Sequence, residues 1–155
     1  MLKISINKIA EDLDNILDGF IKFFNVKTYE IIEINNDDLS LVETDYNLSD
    51  YADCLQKEIL LAEDVLYSDY YITLPTSYDI NEYKIMQKFT SLLPDFLVDV
   101  FQSAIRRKGA FRNFKQLLYK HHLEEKWYRF KKDELKKIAI NWCIINNINY
   151  TIEEE

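Results

Sequence analysis

Apolar positions recur at three- and four-residue intervals along most of the chain, and the exceptions are short runs that alternate. From Ile6 they fall at Ile6, Ile9, Leu13, Ile16, Leu17 and Phe20. That is the spacing of an amphipathic helix, and with Ser5 as N-cap and Gly19 near its end it predicts a helix over about 5–18. Phe20-Ile21-Lys22-Phe23-Phe24 and Tyr29-Glu30-Ile31-Ile32-Glu33-Ile34 are β-branched and aromatic, and the residues Asn25 to Thr28 between them suit a turn. A β-hairpin over 20–34 is predicted.

Asn35-Asn36-Asp37-Asp38 breaks the strand and can cap a short helical turn over 39–43. Ser49 or Asp50 then opens a longer helix whose core face is Tyr51, Leu55, Ile59, Ala62 and Leu66. Tyr70 to Leu74 reads as extended, because Pro75 restricts the residue before it. Asp79 with Glu82 resembles a capping box ahead of Ile85, Met86, Phe89, Leu92 and Leu93. Pro94 starts the next helix, with Phe96, Leu97, Val100, Phe101, Ala104 and Ile105 as its apolar stripe. Gly109 can take the left-handed conformation that ends it, and Arg106, Arg107 and Lys108 suit its negative end. Ala110, Phe111, Phe114, Leu117 and Leu118 form the buried side of another helix that stops near His121 and His122. A final helix runs from Glu124 to Asn146 through Trp127, Leu135, Ile138, Ala139, Trp142 and Ile145, and Ile148, Tyr150 and Ile152 alternate as a terminal strand. The expected fold is α+β, mainly helical, with the hairpin and the terminal strand in one small sheet.

Composition makes this a globular chain. It has 155 residues, 48% of them hydrophobic and 14% aromatic, with a net charge of −8. That aromatic content excludes an acidic disordered chain, and the length predicts one domain. No repeat or low-complexity linker divides it. Cys54 and Cys143 are too few for a disulfide framework and read as two buried thiols. Acidic residues from Glu11 onward interrupt any signal-peptide pattern, and the uncharged run from Ile138 to Ile152 falls short of the ~20 apolar residues of a membrane span. A cytoplasmic location without membrane contact is expected.

Charge is segregated along the chain. Residues 1–100 carry 7 Lys, no Arg and 20 acidic residues, a net of −13, whereas residues 101–155 carry 12 basic and 7 acidic residues, a net of +5. The chain thus divides into an acidic helix-hairpin-helix part over 1–70 and a helical part over 71–155 holding a basic segment at 106–137. Arg106, Arg107, Arg112 and Arg129, all the arginines, lie among Phe111, Phe114, Tyr119, Trp127, Tyr128 and Phe130. Guanidinium groups beside aromatics can pair with carboxylates on another protein or stack on bases and grip phosphate. The ordinary alternative is a structural one: the aromatics are core, the cations complement a helix end, and the acidic half neutralises the basic half within one molecule.

Catalytic signatures are missing. Two glycines cannot build a P-loop or a dinucleotide-binding turn. His121 and His122 are adjacent and diverge on a helix, and although His121 with Glu125 has ligand spacing, a helix break near Leu123 separates them. The abundant acid pairs stand beside no nucleophile. No catalytic residue, no metal site and no cofactor is expected. Mimicry of DNA by the acidic half is disfavoured by the apolar positions that disperse its charges.

Several segments carry a family resemblance. Tyr71-Ile72-Thr73-Leu74-Pro75-Thr76, Tyr78 to Met86, Lys108-Gly109-Ala110-Phe111-Arg112-Asn113-Phe114-Lys115, Glu125-Lys126-Trp127-Tyr128-Arg129-Phe130 and Ile140-Asn141-Trp142-Cys143 resemble, in order and spacing, the bacterial Uncharacterised Protein Family 0158. The resemblance implies a compact, α-rich bacterial domain with a small sheet. It implies no activity and transfers no catalytic residue. Tyr29 stands where the family often has Gly before Glu in the hairpin turn, which predicts a turn free of positive φ. The family-like motifs concentrate between Tyr71 and Cys143. Together with the basic window they single out Arg106, Arg107, Lys108, Gly109, Arg112, Lys115, Trp127, Tyr128 and Arg129 as candidate binding residues. A non-enzymatic interaction or regulatory module is expected, its partner an acidic protein or a second copy of the chain; the backbone of RNA or DNA is the alternative, which the overall negative charge weakens, and an enzyme with an unrecognised acid/base pair is the third reading.

Overall fold

A computed structural model describes residues 1–153. In chain order the elements are β1 (Ile4–Ser5), α1 (Ile6–Asp14), β2 (Phe20–Asn25), β3 (Ile31–Asn35), α2 (Asn36–Val42), a 3₁₀ turn (Leu48–Asp50), α3 (Asp53–Tyr67), β4 (Tyr71–Thr73), α4 (Ser77–Ile80), α5 (Glu82–Ser91), α6 (Asp95–Ile105), α7 (Ala110–Lys120), α8 (Glu124–Ile145) and β5 (Tyr150–Thr151). The fold is mainly helical α+β.

The organising element is an antiparallel sheet of order β3-β2-β4. Side chains alternate across it, so the sheet has two apolar faces. Phe24 lies opposite Ile31 on β3 and Ile72 on β4, and all three belong to a large core built on α1 and α5 to α8. Phe23 lies opposite Ile32, and with Ile34 and Tyr71 it packs on a smaller core formed by Val42, Ile59, Ala62 and Val65 of α2 and α3. The sheet therefore stands between two helical layers. The large core has an aromatic centre in which Phe114 meets Trp127 at 4.8 Å and Phe101 at 5.8 Å, edge to face, and Phe89 meets Trp127 at 5.4 Å. One cluster of rings thus joins α5, α6, α7 and α8.

Several expectations change. The terminal strand is not part of the hairpin's sheet: β5 pairs in parallel with β1, Ile4 against Tyr150. Burial of Ile148 and a left-handed turn at Asn147 deliver the chain there. The hairpin's third strand is β4, seated by hydrogen bonds from Val26 N to Tyr70 O (2.8 Å) and from Leu74 N to Lys22 O (2.9 Å). Tyr29 does adopt a positive φ of 60°. This left-handed position costs a non-glycine residue about 1–2 kcal/mol. It is offset by the ring, 5.0 Å from that of Phe24, and by the hydroxyl, which accepts from Asn149 N. Helix α1 stops at Asp14, and Gly19 turns the chain into β2 at φ 83°. Asp79 closes a capping box with Thr76 and not with Glu82, and α5 is capped by the side chain of left-handed Asn81. Helix α3 opens at Asp53, after the 3₁₀ turn capped by Asn47. Leu17, Leu55, Leu66, Leu92, Phe96, Val100, Phe111 and Ile145 are exposed, not core, because each apolar stripe is narrower than its spacing suggested. Cys54 is exposed, whereas Cys143 is buried and its thiol is pushed up to about 11 by burial.

Candidate functional site

The α6-turn-α7 unit positions the basic residues. Gly109 takes the left-handed conformation, at φ 80° and ψ 30°, but as the N-cap of α7: α6 already stops at Ile105 with Arg106 as its C-cap, so no basic residue lies in its last turn and Arg107 and Lys108 belong to the connecting turn. Asn113 ties the two helices, its side-chain amide donating to Ala104 O (3.2 Å) and Lys108 O (3.4 Å), while the Tyr83 hydroxyl donates to Ile105 O (2.9 Å). The end of α6 is therefore served by neutral donors. Arg107 reaches back to Ser103 Oγ (3.0 Å), and Arg106, Arg107 and Lys108 remain exposed around the turn.

Helix α7 has two unlike sides. Phe114 and Leu118 are buried in the aromatic core. On the other side Phe111, Lys115 and Tyr119 follow one another at four-residue spacing, flanked by Arg112 and Gln116, and these five residues line an open depression of ≈ 560 Å³. Phe111 is 47% and Tyr119 77% exposed, so both rings are offered to solvent beside two cations. Such a surface can hold an apolar group and a carboxylate or phosphate together.

Among the described residues no carboxylate lies within ion-pair distance of Arg106, Arg107, Lys108, Arg112, Lys115 or Arg129. Arg112 is moreover in the first turn of α7, which contains no acidic residue. A cation there faces the positive end of the helix dipole. Lys131 behaves oppositely. Its ammonium sits between Asp14 (2.8 Å) and Glu82 (2.9 Å); burial pulls its pKa down, and the two carboxylates more than reverse this, leaving it above the ordinary lysine value. Glu134 accepts from Lys88 (2.8 Å) and Lys137 (3.1 Å), and against the upward push of burial these partners hold its carboxyl below the usual range. Acids of the acidic half thus neutralise Lys131 of the basic half, and among the described residues none pairs with Arg112 or Lys115; the Lys88–Glu134 pair runs in the opposite sense.

Of the predicted binding residues, Arg112 and Lys115 meet in the α7 depression, and Arg106, Arg107, Lys108 and Gly109 form the turn leading into it. Tyr128 and Arg129 are exposed on α8, outside that depression. Trp127 is a correction: it is 3% exposed and belongs to the core, where its ring closes on Phe89 and Phe114. Phe111 was expected inside and is part of the site. Its i+3 spacing to Phe114 and i+7 spacing to Leu118 are core spacings, so the sequence holds no signal that sets it apart; only the narrow width of the buried stripe does. His121 packs its ring 6.0 Å from Phe101, and among the described residues no group of three or more His, Cys, Asp or Glu could hold a metal ion. No helix among the described residues is long and apolar enough to cross a membrane.

The chain belongs to the uncharacterised protein family UPF0158, whose family model matches residues 2–155. No curated protein and no solved structure matches the chain.

Proposed function

For this member of an uncharacterised family, we propose a non-enzymatic interaction module whose α7 face docks an acidic protein partner. The observation that carries the reading is Arg112. It is exposed, has no carboxylate partner among the described residues, and occupies the helix end where a cation is least favourable. Lys115 adds charge one turn further on, and Phe111 and Tyr119 add apolar and aromatic surface on either side. Exposed aromatics beside arginine are the composition of interface centres. A carboxylate-bearing helix with apolar side chains one turn apart matches such a face, since its acids meet Arg112 and Lys115 while its apolar residues cover the rings.

Fluorescence anisotropy tests this with three labelled probes: an acidic, leucine-bearing helical peptide, a single-stranded RNA and a duplex DNA, each at low and physiological salt. The peptide is expected to bind, to weaken with salt, and to lose roughly tenfold or more in affinity in the Arg112→Glu/Lys115→Glu double variant. Binding of RNA or DNA alone, abolished by the same reversals, would replace the acidic protein with nucleic acid. Absence of binding by every probe at low salt would overturn the reading.

A further inference from the structure

The acidic counterpart of the α7 face is built into the same chain. Residues 36–69, which hold α2, the 3₁₀ turn and α3, contain ten acidic residues and one basic residue, Lys57, a net of −9. This lobe also exposes Leu55, Leu60 and Tyr67, at 45%, 47% and 67%. Asp37, Asp38 and Asp53 lie in helix first turns, which the dipole favours, but other local electrostatics of the lobe are unfavourable. Glu43 is the C-cap of α2, at the negative end of that helix. Asp38 faces Glu58 and Asp37, and its carboxyl is held above the ordinary range by burial and then by those two like charges. Glu43, an acid at the wrong end of its helix in a lobe with a single cation, mirrors Arg112, a cation at the wrong end of its own.

The fold prevents the two surfaces from meeting within one molecule. Helices α2 and α3 pack on one face of the sheet and α7 belongs to the core on the other. We infer that the α7 face of one copy docks on the α2–α3 lobe of a second copy, in a head-to-tail contact. This rests on the reading of α7 as a docking face for an acidic partner and names that partner. Both surfaces combine charge with exposed apolar side chains, so the contact buries leucine and tyrosine against Phe111 and Tyr119 while carboxylates reach Arg112 and Lys115. Because the two patches differ, the contact is heterologous, and a pair of copies keeps one free α7 face and one free acidic lobe. Assembly then continues into a ring or an open chain.

Sedimentation velocity on the full chain, from micromolar to high micromolar concentration and at low and physiological salt, tests the inference. Two double variants are compared: Arg112→Glu/Lys115→Glu, which reverses the α7 face, and Glu43→Lys/Glu58→Lys, which reverses part of the lobe. All four residues are exposed, so circular dichroism and the melting temperature should match the unaltered chain. The unaltered chain is expected to gain mass with concentration at low salt and to lose it as salt rises. Each variant alone should remain monomeric, and their equimolar mixture should form a one-to-one dimer, since each brings the surface that complements the other. A monomer at every concentration at low salt, or a mixture as monomeric as its components, would overturn the head-to-tail contact. If the acidic peptide still binds α7 under those conditions, the docking reading stands with a different partner; if it does not, both fall.

Discussion

Lys131 and Arg112 are long cations on neighbouring helices of one core, and the molecule treats them differently. Lys131 is enclosed by Asp14 and Glu82, one from the helix that opens the chain and one from the start of α5. It ties three helices together. Arg112 ties nothing to a carboxylate among the described residues and sits against its own helix dipole. A charge whose partners are supplied by the fold needs no other explanation, whereas one left without a carboxylate among the described residues and unfavourably placed is the one the proposed docking role draws on. The same criterion separates Lys22 from Lys115. Lys22 is 8% exposed on the sheet, with its ammonium donating to Asp12 O and paired with the Asp12 carboxylate at 3.2 Å. Lys115 is exposed and lines the α7 depression.

Predictions that probe this difference begin with the side of α7 that anchors it. Phe114→Ala removes a ring that is 1% exposed and touches Phe89, Phe101 and Trp127, and is expected to cost roughly 3–5 kcal/mol in urea unfolding. A loss near zero would mean that α7 is not held by the aromatic core. Lys131→Met leaves two carboxylates facing each other without a cation. Because the ammonium is only partly shielded, the cost is expected to be about 2 kcal/mol, below that of a fully buried pair. Restoring neutrality by adding Asp14→Asn and Glu82→Gln to the Lys131→Met variant should recover much of it, and failure to do so would remove the ion pairs as the cause.

The pH dependence is a smaller effect with a defined sign. Glu134 has a folded pKa below its ordinary value. Its contribution to stability is therefore fully present above the unfolded carboxylate pKa near 4.5 and is lost as pH falls through the folded value. Urea midpoints measured from pH 6 down to pH 3 should fall, and Glu134→Gln should flatten that decline; an unchanged slope would show that the Lys88 and Lys137 contacts do not matter in solution. The smallest expected change in stability is at Arg112. Arg112→Glu places an acid in the first turn of α7 and should leave stability unchanged or raise it by about 0.3–1 kcal/mol. A drop beyond about 1 kcal/mol would assign Arg112 to the fold and not to binding.

Much of the helical layout was legible because each long helix repeats its apolar residues at regular spacing, and Pro94 marks the start of α6, whereas α6 ends at Ile105 and Gly109 caps the start of α7. The hairpin was legible from Phe23, Phe24, Ile31 and Ile32. Its third strand was harder, since three residues just ahead of a proline carry almost no pattern, and β5 is only two residues long. Tyr29 shows why its turn was misjudged: the left-handed strain is local, but the contacts with Phe24 and Asn149 that compensate for it are tertiary. The site was half legible. Composition located the arginines, and only the structure showed that Trp127 turns inward while Phe111 turns outward. Adjacent aromatics on helices look alike until the width of the buried stripe is known. The acidic lobe was visible as charge, but its placement across the sheet from α7 depends on which face of the hairpin each helix covers.

The most direct test of the central claim is a two-dimensional amide spectrum of the isotopically labelled chain titrated with the acidic, leucine-bearing peptide. Shifts concentrated at residues 106–119, strongest at Phe111, Arg112, Lys115 and Tyr119, are the predicted result. Shifts that avoid this segment, or a spectrum unchanged at saturating peptide and low salt, would contradict the account.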